Sequence, residues 1–157
     1  KEGDTVKSCF FIGHEDDVPK HLEPRLESTV EQLIEELFVE EYVVADHYYH
    51  HQRLKEMLCR VLGRAKKRHP GLVLRLAVPH PTRLSPSLPP GFDQVYLPPE
   101  LEGMPPRQAD DRLDRLLVEQ ATHLVACVSH FSWDSYRAFA DARGRAARGE
   151  LFLFTLV

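Results

Sequence analysis

Histidine and carboxylate side chains gather where this sequence turns from apolar to polar. "CFFIGHEDD" runs from Phe10–Ile12 into Gly13 and His14, with Glu15, Asp16 and Asp17 behind them. "YVVADHYYHH" ends an apolar run on Asp46 and His47, and His50 and His51 follow. "LAVPHP" presents His80, and "VACVSH" presents Ser129 and His130. Imidazole and carboxylate together can hold a metal, move a proton or bind a polar ligand. The chain has nine histidines, and any one of them is accounted for by a single hydrogen bond in a loop. Their joint placement is what calls for a structural reading.

Three chemistries can be weighed on these residues. The first is a metal site. His47, His50 and His51 are spaced i, i+3, i+4, so on a helix they share a face, with Asp46 beside them. That donor set suits zinc or a similar ion. The sequence has no H-E-x-x-H, and a solvated helix N-terminus accounts for the same residues. The second is a phosphate site built on helix amides, with protonated histidines adding charge. Against it, no glycine lies between Glu41 and Leu62 to let the backbone approach a phosphate. Glu15, Asp16, Asp17 and Asp46 would also repel an anion. The third is nucleophilic hydrolysis by Ser129 and His130, but no G-x-S-x-G elbow surrounds them. Trp133 and Tyr136 flank a helix start, where they could stack on a base or anchor the helix on a sheet.

The elements that must position these groups follow from periodicity. "VKSCFFIG" reads as a buried strand. "RLESTVEQLIEELFVEE" places Leu26, Val30, Leu33, Ile34, Leu37 and Phe38 at spacings of three and four, which predicts an amphipathic helix of about five turns. "YVVAD" is a second strand. "HHQRLKEMLCRVLGRAKKRH" is a second helix, and "LVLRLAVP" a third strand after Pro70-Gly71. Residues 79–106 hold nine of the twelve prolines and predict an ordered functional loop or lid, with "QVYL" as a short strand inside it. "RQADDRLDRLLVEQA" is a helix, "HLVACVS" a strand, "SWDSYRAFADARGRAARG" a helix and "LFLFTLV" a last strand. The basic runs "RAKKRH" and "RGRAAR" fall at helix C-terminal ends, where they complement the dipole. The order predicts an α/β fold, a Rossmann-like three-layer sandwich with a mostly parallel sheet. In such sheets ligands bind outside the strand C-termini, which is where the histidines fall. Strands lie about 4.8 Å apart, so ends three strands apart cannot share one ion.

The 157 residues make one domain, 1–157, with ordinary proportions of hydrophobic (43%) and charged (28%) residues. A net charge of −4 argues against a dedicated nucleic-acid binder. Cys9, Cys59 and Cys127 form no C-x-x-C pair, and two of them lie in apolar runs, as expected of small buried hydrophobes in a reducing compartment. No apolar run reaches the length of a membrane span and no signal-peptide core opens the chain, so a cytoplasmic location is expected. The first residue is Lys1, which implies a processed or trimmed chain.

Taken together, "CFFIGHE", "LESTVEQLIEEL", "YVVAD", "HPGLVLRLAVPHP" and "DRLDRLLVEQATHLVACVS" resemble the YpsA-like branch of the SLOG superfamily. The superfamily is Rossmann-like and includes the Lonely Guy phosphoribohydrolases and the DNA-processing protein DprA. The resemblance covers most of the chain in element order, and its motif match lies at the first strand. It implies binding or sensing of a nucleotide derivative. Gly13 and His14 match the family's Gly-His, and Glu15 stands where an arginine usually follows. "ADHYYHHQRL" and "HFSWDSYRAF" occupy the places of the family's two glycine-rich turns. The P-G-G-x-G-T-x-x-E signature is absent, its catalytic glutamate included, so phosphoribohydrolase chemistry is not expected. The leading expectation is a non-catalytic SLOG-type domain with a nucleotide-like ligand at Gly13, His14, Asp46, His47, His80, Ser129 and His130. A histidine-ligated metal-dependent hydrolase and a ligand-free interaction module, such as a homodimer, are the alternatives. No particular cofactor is designated.

Overall fold

A computed structural model describes residues 6–13, 20–47, 52–81, 88–128 and 136–156. The elements are β1 (Ser8–Gly13), α1 (Glu23–Glu35), β2 (Glu41–Ala45), α2 (Gln52–Arg68), β3 (Val73–Ala77), β4 (Gln94–Tyr96), α3 (Pro106–Gln120), β5 (His123–Cys127), α4 (Arg137–Ala147) and β6 (Phe152–Thr155). The six strands form one sheet in the order β4-β3-β2-β1-β5-β6, and every pairing is parallel. The fold is therefore a Rossmann-like α/β sandwich.

Strand alternation divides the core into two layers. Cys9, Phe11, Tyr42, Val44 and Leu74 face α1 and α2. Phe10, Ile12, Val43, Leu124 and Ala126 face α3 and α4. This period of two turns near-continuous apolar strands into a sheet covered on both faces. Cys9 and Cys127 are buried, Cys59 is half-buried, and all three are free thiols. Burial pushes Cys127 up to about 12 and Cys59 up to about 11.

Two segments differ from the periodic reading. The first helix ends at Glu35, and Phe38 lies beyond it with φ 57° and 68% exposure. The chain reverses there, and the Val39 N–H reaches back to the Leu33 carbonyl at 3.0 Å. The apolar spacing continued through Phe38, but the left-handed backbone takes its side chain out of the stripe. The second is the proline-rich stretch. Its "QVYL" strand joins the sheet as edge strand β4, held by Asp93, whose carboxylate accepts the Leu74 N–H at 2.8 Å. A 3-10 turn at Pro99–Leu101 then buries Leu101 against the α3 side. Residues 82–87 lie outside the described residues.

The basic run at the end of α2 has a lateral role. Arg60 and Arg64 reach Glu23 at 2.9 and 2.8 Å, Arg64 also reaches Glu27 at 3.1 Å, and Arg68 pairs with Glu31. Glutamates every four residues on α1 thus meet arginines every four residues on α2. Among the described residues no helix is long and apolar enough to cross a membrane.

Candidate functional site

The order of strands fixes where a ligand crevice can form. From β1 the chain builds outward through β2, β3 and β4, then crosses back to β5 on the other side of β1. The switch in direction lies between β1 and β5, whose last residues Gly13 and Cys127 are register partners. A crevice opens at such a point outside the strand C-termini.

Gly13 is closely packed there. A Cβ on it would stand 2.7 Å from Leu54 Cδ2 of α2 and 3.3 Å from both Cys127 Cβ and the Cys127 carbonyl. A side chain there would require Leu54 to move and Cys127 to give by a few tenths of an ångström.

One strand over, Asp46 continues β2: its N–H donates to the Ala77 carbonyl at 2.8 Å. Its carboxylate accepts from Lys55 Nζ, one turn into α2, at 3.0 Å. His47 turns inward and is only 4% exposed. Its Nε2 lies 2.7 Å from Asp114 Oδ1, and an ionised carboxylate only accepts, so Nε2 carries the proton. The other oxygen of Asp114 accepts the Tyr136 hydroxyl, also at 2.7 Å. Gln52 of α2 donates to the His47 carbonyl at 2.8 Å. One buried carboxylate on α3 therefore ties the end of β2 to the entry of α4.

The electrostatics follow from burial and from the acids. Burial alone would lower the pKa of His47. The charge and hydrogen bond of Asp114, with Asp110 and Asp46 beyond, outweigh it and raise the imidazole above its ordinary value. Burial and then the Asp114 charge push the Tyr136 phenol well above its ordinary value, while a hydrogen bond from the Gly13 backbone acts the other way. Tyr136 thereby also touches the end of β1. The gap among Gly13, His47, Lys55 and Asp114 is about 10 Å³, the room of a single water. An Asp–His pair can orient an imidazole for proton transfer, and here Asp114 fixes the orientation of the His47 ring.

The expected rim residues are thus distributed unevenly. Gly13, Asp46 and His47 come together on adjacent strand ends. His80 stands half-buried beyond β3, two strands from β1. His14, His50, His51, Ser129 and His130 lie outside the described residues. Among the described residues no group of three or more His, Cys, Asp or Glu is arranged to hold a metal. Lys55, Asp110 and Asp114 were not foreseen, and Tyr136 was seen only as a helix flank. A signal for the aspartates was present: Asp110, Leu113, Asp114 and Leu117 share one face of α3, so two acids sit on its apolar stripe.

Fold and strand order define a Rossmann-like α/β protein with acidic and histidine side chains one strand from its switch point. In comparisons with known proteins, no family model and no curated protein matches the chain.

Proposed function

We propose that the chain is a non-catalytic SLOG-type domain that binds a nucleotide derivative at the rim formed by the ends of β1, β2 and β5. The observation that carries the reading is the position of Asp46. In doubly wound dinucleotide-binding folds, an acid that follows the first βα unit accepts a ribose hydroxyl of a ligand lying across the switch point. Asp46 directly follows Ala45, the last residue of β2, on the strand that pairs with β1. Gly13, matching the family's Gly-His, lets the first strand end close to its neighbours. Lys55 and His47 are engaged by Asp46 and Asp114, which leaves these cations little charge to offer a polyphosphate, so the favoured ligand is recognised through its nucleoside part.

A thermal-shift panel of adenosine, AMP, GMP and ADP-ribose tests this. At ligand concentrations near 100 times Kd, binding adds about 2.7 kcal/mol of stability and a clear rise in Tm. Asp46→Asn and His14→Ala should each remove most of that rise. No shift across the panel, or a shift unchanged by both substitutions, would reject the reading.

A further inference from the structure

On the α3/α4 side of the sheet, Phe10, Val43 and Arg75 are neighbours in register across β1, β2 and β3. Two of the three are apolar and buried, and the third is an arginine in the middle of a strand. The helices on this side pack chiefly on β1 and β6. Where β2, β3 and β4 pass beyond α3, a cavity of about 260 Å³ remains.

Arg75 lines this cavity with its side chain only 21% exposed. The guanidinium lies over the Tyr96 ring, 4.2 Å from its centroid. Among the described residues it pairs with the Glu41 carboxylate at 3.5 Å, longer than a charge-assisted hydrogen bond. Its Nε is buried without an acceptor among the described residues. Four other arginines, Arg60, Arg64, Arg115 and Arg145, each donate to an oxygen at 2.9, 2.8, 2.8 and 2.6 Å, whereas Arg112 shares with Arg75 a buried nitrogen that has no acceptor among the described residues, yet does not line this cavity. A guanidinium drawn out of water and given no good acceptor is costly to keep. Its planar fork of donors fits the two oxygens of a carboxylate.

We propose that this cavity binds a small organic carboxylate. The carboxylate takes the Arg75 fork, and its apolar body lies against Phe10, Val43 and Leu117. The single negative charge is part of the argument. Glu41 stands on the cavity wall, so a doubly charged phosphate meets more repulsion than a carboxylate does. Ser8 and Glu41 begin their strands, which sets this cavity toward the strand N-termini, away from the rim. The proposal therefore stands or falls independently of nucleotide binding.

An ¹H–¹⁵N NMR titration of the whole chain tests it. The probes are benzoate and hexanoate, compared with uncharged benzamide and hexanamide. The carboxylates should shift the amides of Val43, Arg75 and Tyr96 saturably, with affinity at least about tenfold above the amides. Arg75→Gln should abolish the response, and Arg75→Lys, which keeps the charge and loses the fork, should weaken it. Three results would overturn the proposal: no saturable shift at these amides, equal binding of acid and amide, or an undiminished response in Arg75→Gln. If Arg75→Gln does not fold, the acid-against-amide comparison on the unaltered protein decides alone.

Discussion

Asp114 is the residue on which the rim's internal order rests, because it accepts from both His47 and Tyr136. Asp114→Asn keeps the shape and removes the charge. Breaking a buried pair from one side costs about 3 kcal/mol, since it leaves the other group desolvated and unmatched. The pH dependence has a definite sign. The unfolded histidine titrates near 6.5, and folded His47 titrates above that. Below about pH 6.5 the proton is held in both states and the ion pair contributes in full. As pH rises through the folded value, His47 loses its proton and the contribution fades. Urea denaturation of both proteins from pH 6 to 9 should therefore show a stability gap that is widest near pH 6 and narrows on the alkaline side. A gap constant across that range would mean that the pair is not ionic. The pairing itself was not legible in the sequence, because His47 and Asp114 are 67 residues apart. Only the crossover that brings α3 beneath the ends of β1 and β2 joins them. The sequence marked His47 as one of several strand-end histidines, and nothing local distinguished an inward imidazole from a ligand-facing one.

Among the elements, the end of α1 shows what apolar spacing cannot reveal. Leu26, Val30 and Leu33 are buried as their period requires, but the stripe does not continue to Phe38. Periodicity reports which face a helix would bury, not where the backbone turns left-handed. An L-residue in that conformation is disfavoured by about 1–2 kcal/mol relative to the right-handed one, and glycine is nearly indifferent. Phe38 is exposed, and its ring makes a distant contact with Lys7 Nζ, 6.0 Å from the centroid. Phe38→Gly should thus stabilise the protein by about 1 kcal/mol, raising Tm by about 3 °C in a thermal melt. Phe38→Val, β-branched in the same conformation, should lower it. A fall in Tm with glycine would show that the ring contributes more than the backbone strain costs. The other element boundaries were largely legible, because glycines, prolines and polar clusters punctuate the apolar runs. The membership of Gln94–Tyr96 in the sheet is a tertiary fact: a strand of three residues gains its place from Asp93 and from β3, not from its own pattern.

In the whole molecule, parallel pairing makes stability uneven from the centre of the sheet outward. β1 has a partner on each side, pairing with β2 through three register pairs and with β5 through five. All five residues of β5 are buried, as are five of the six in β1. At the margins β4 has three residues, none buried, and β6 has none buried among four. Opening an edge strand exposes little apolar surface and breaks one ladder. Opening β1 separates both core layers at once, which amounts to global unfolding. Native-state hydrogen exchange should therefore find the amides of Phe10–Ile12 and Leu124–Ala126 exchanging only through global unfolding, with a full dependence on denaturant. Those of Val95–Tyr96 and Leu153–Phe154 should exchange at least about tenfold faster, through local openings that depend little on denaturant. The candidate rim at Gly13, Asp46 and His47 lies at the end of the protected strands, whereas Arg75 and Tyr96 belong to the outer ones. A ligand at the rim should accordingly slow exchange of the central strands only by raising global stability. A carboxylate in the Arg75 cavity should slow β4 itself, because Arg75 of β3 and Tyr96 of β4 both line that cavity. Equal protection of β4 and β1 in the free protein would contradict this ordering and imply that the proline-rich segment is as strongly held as the core.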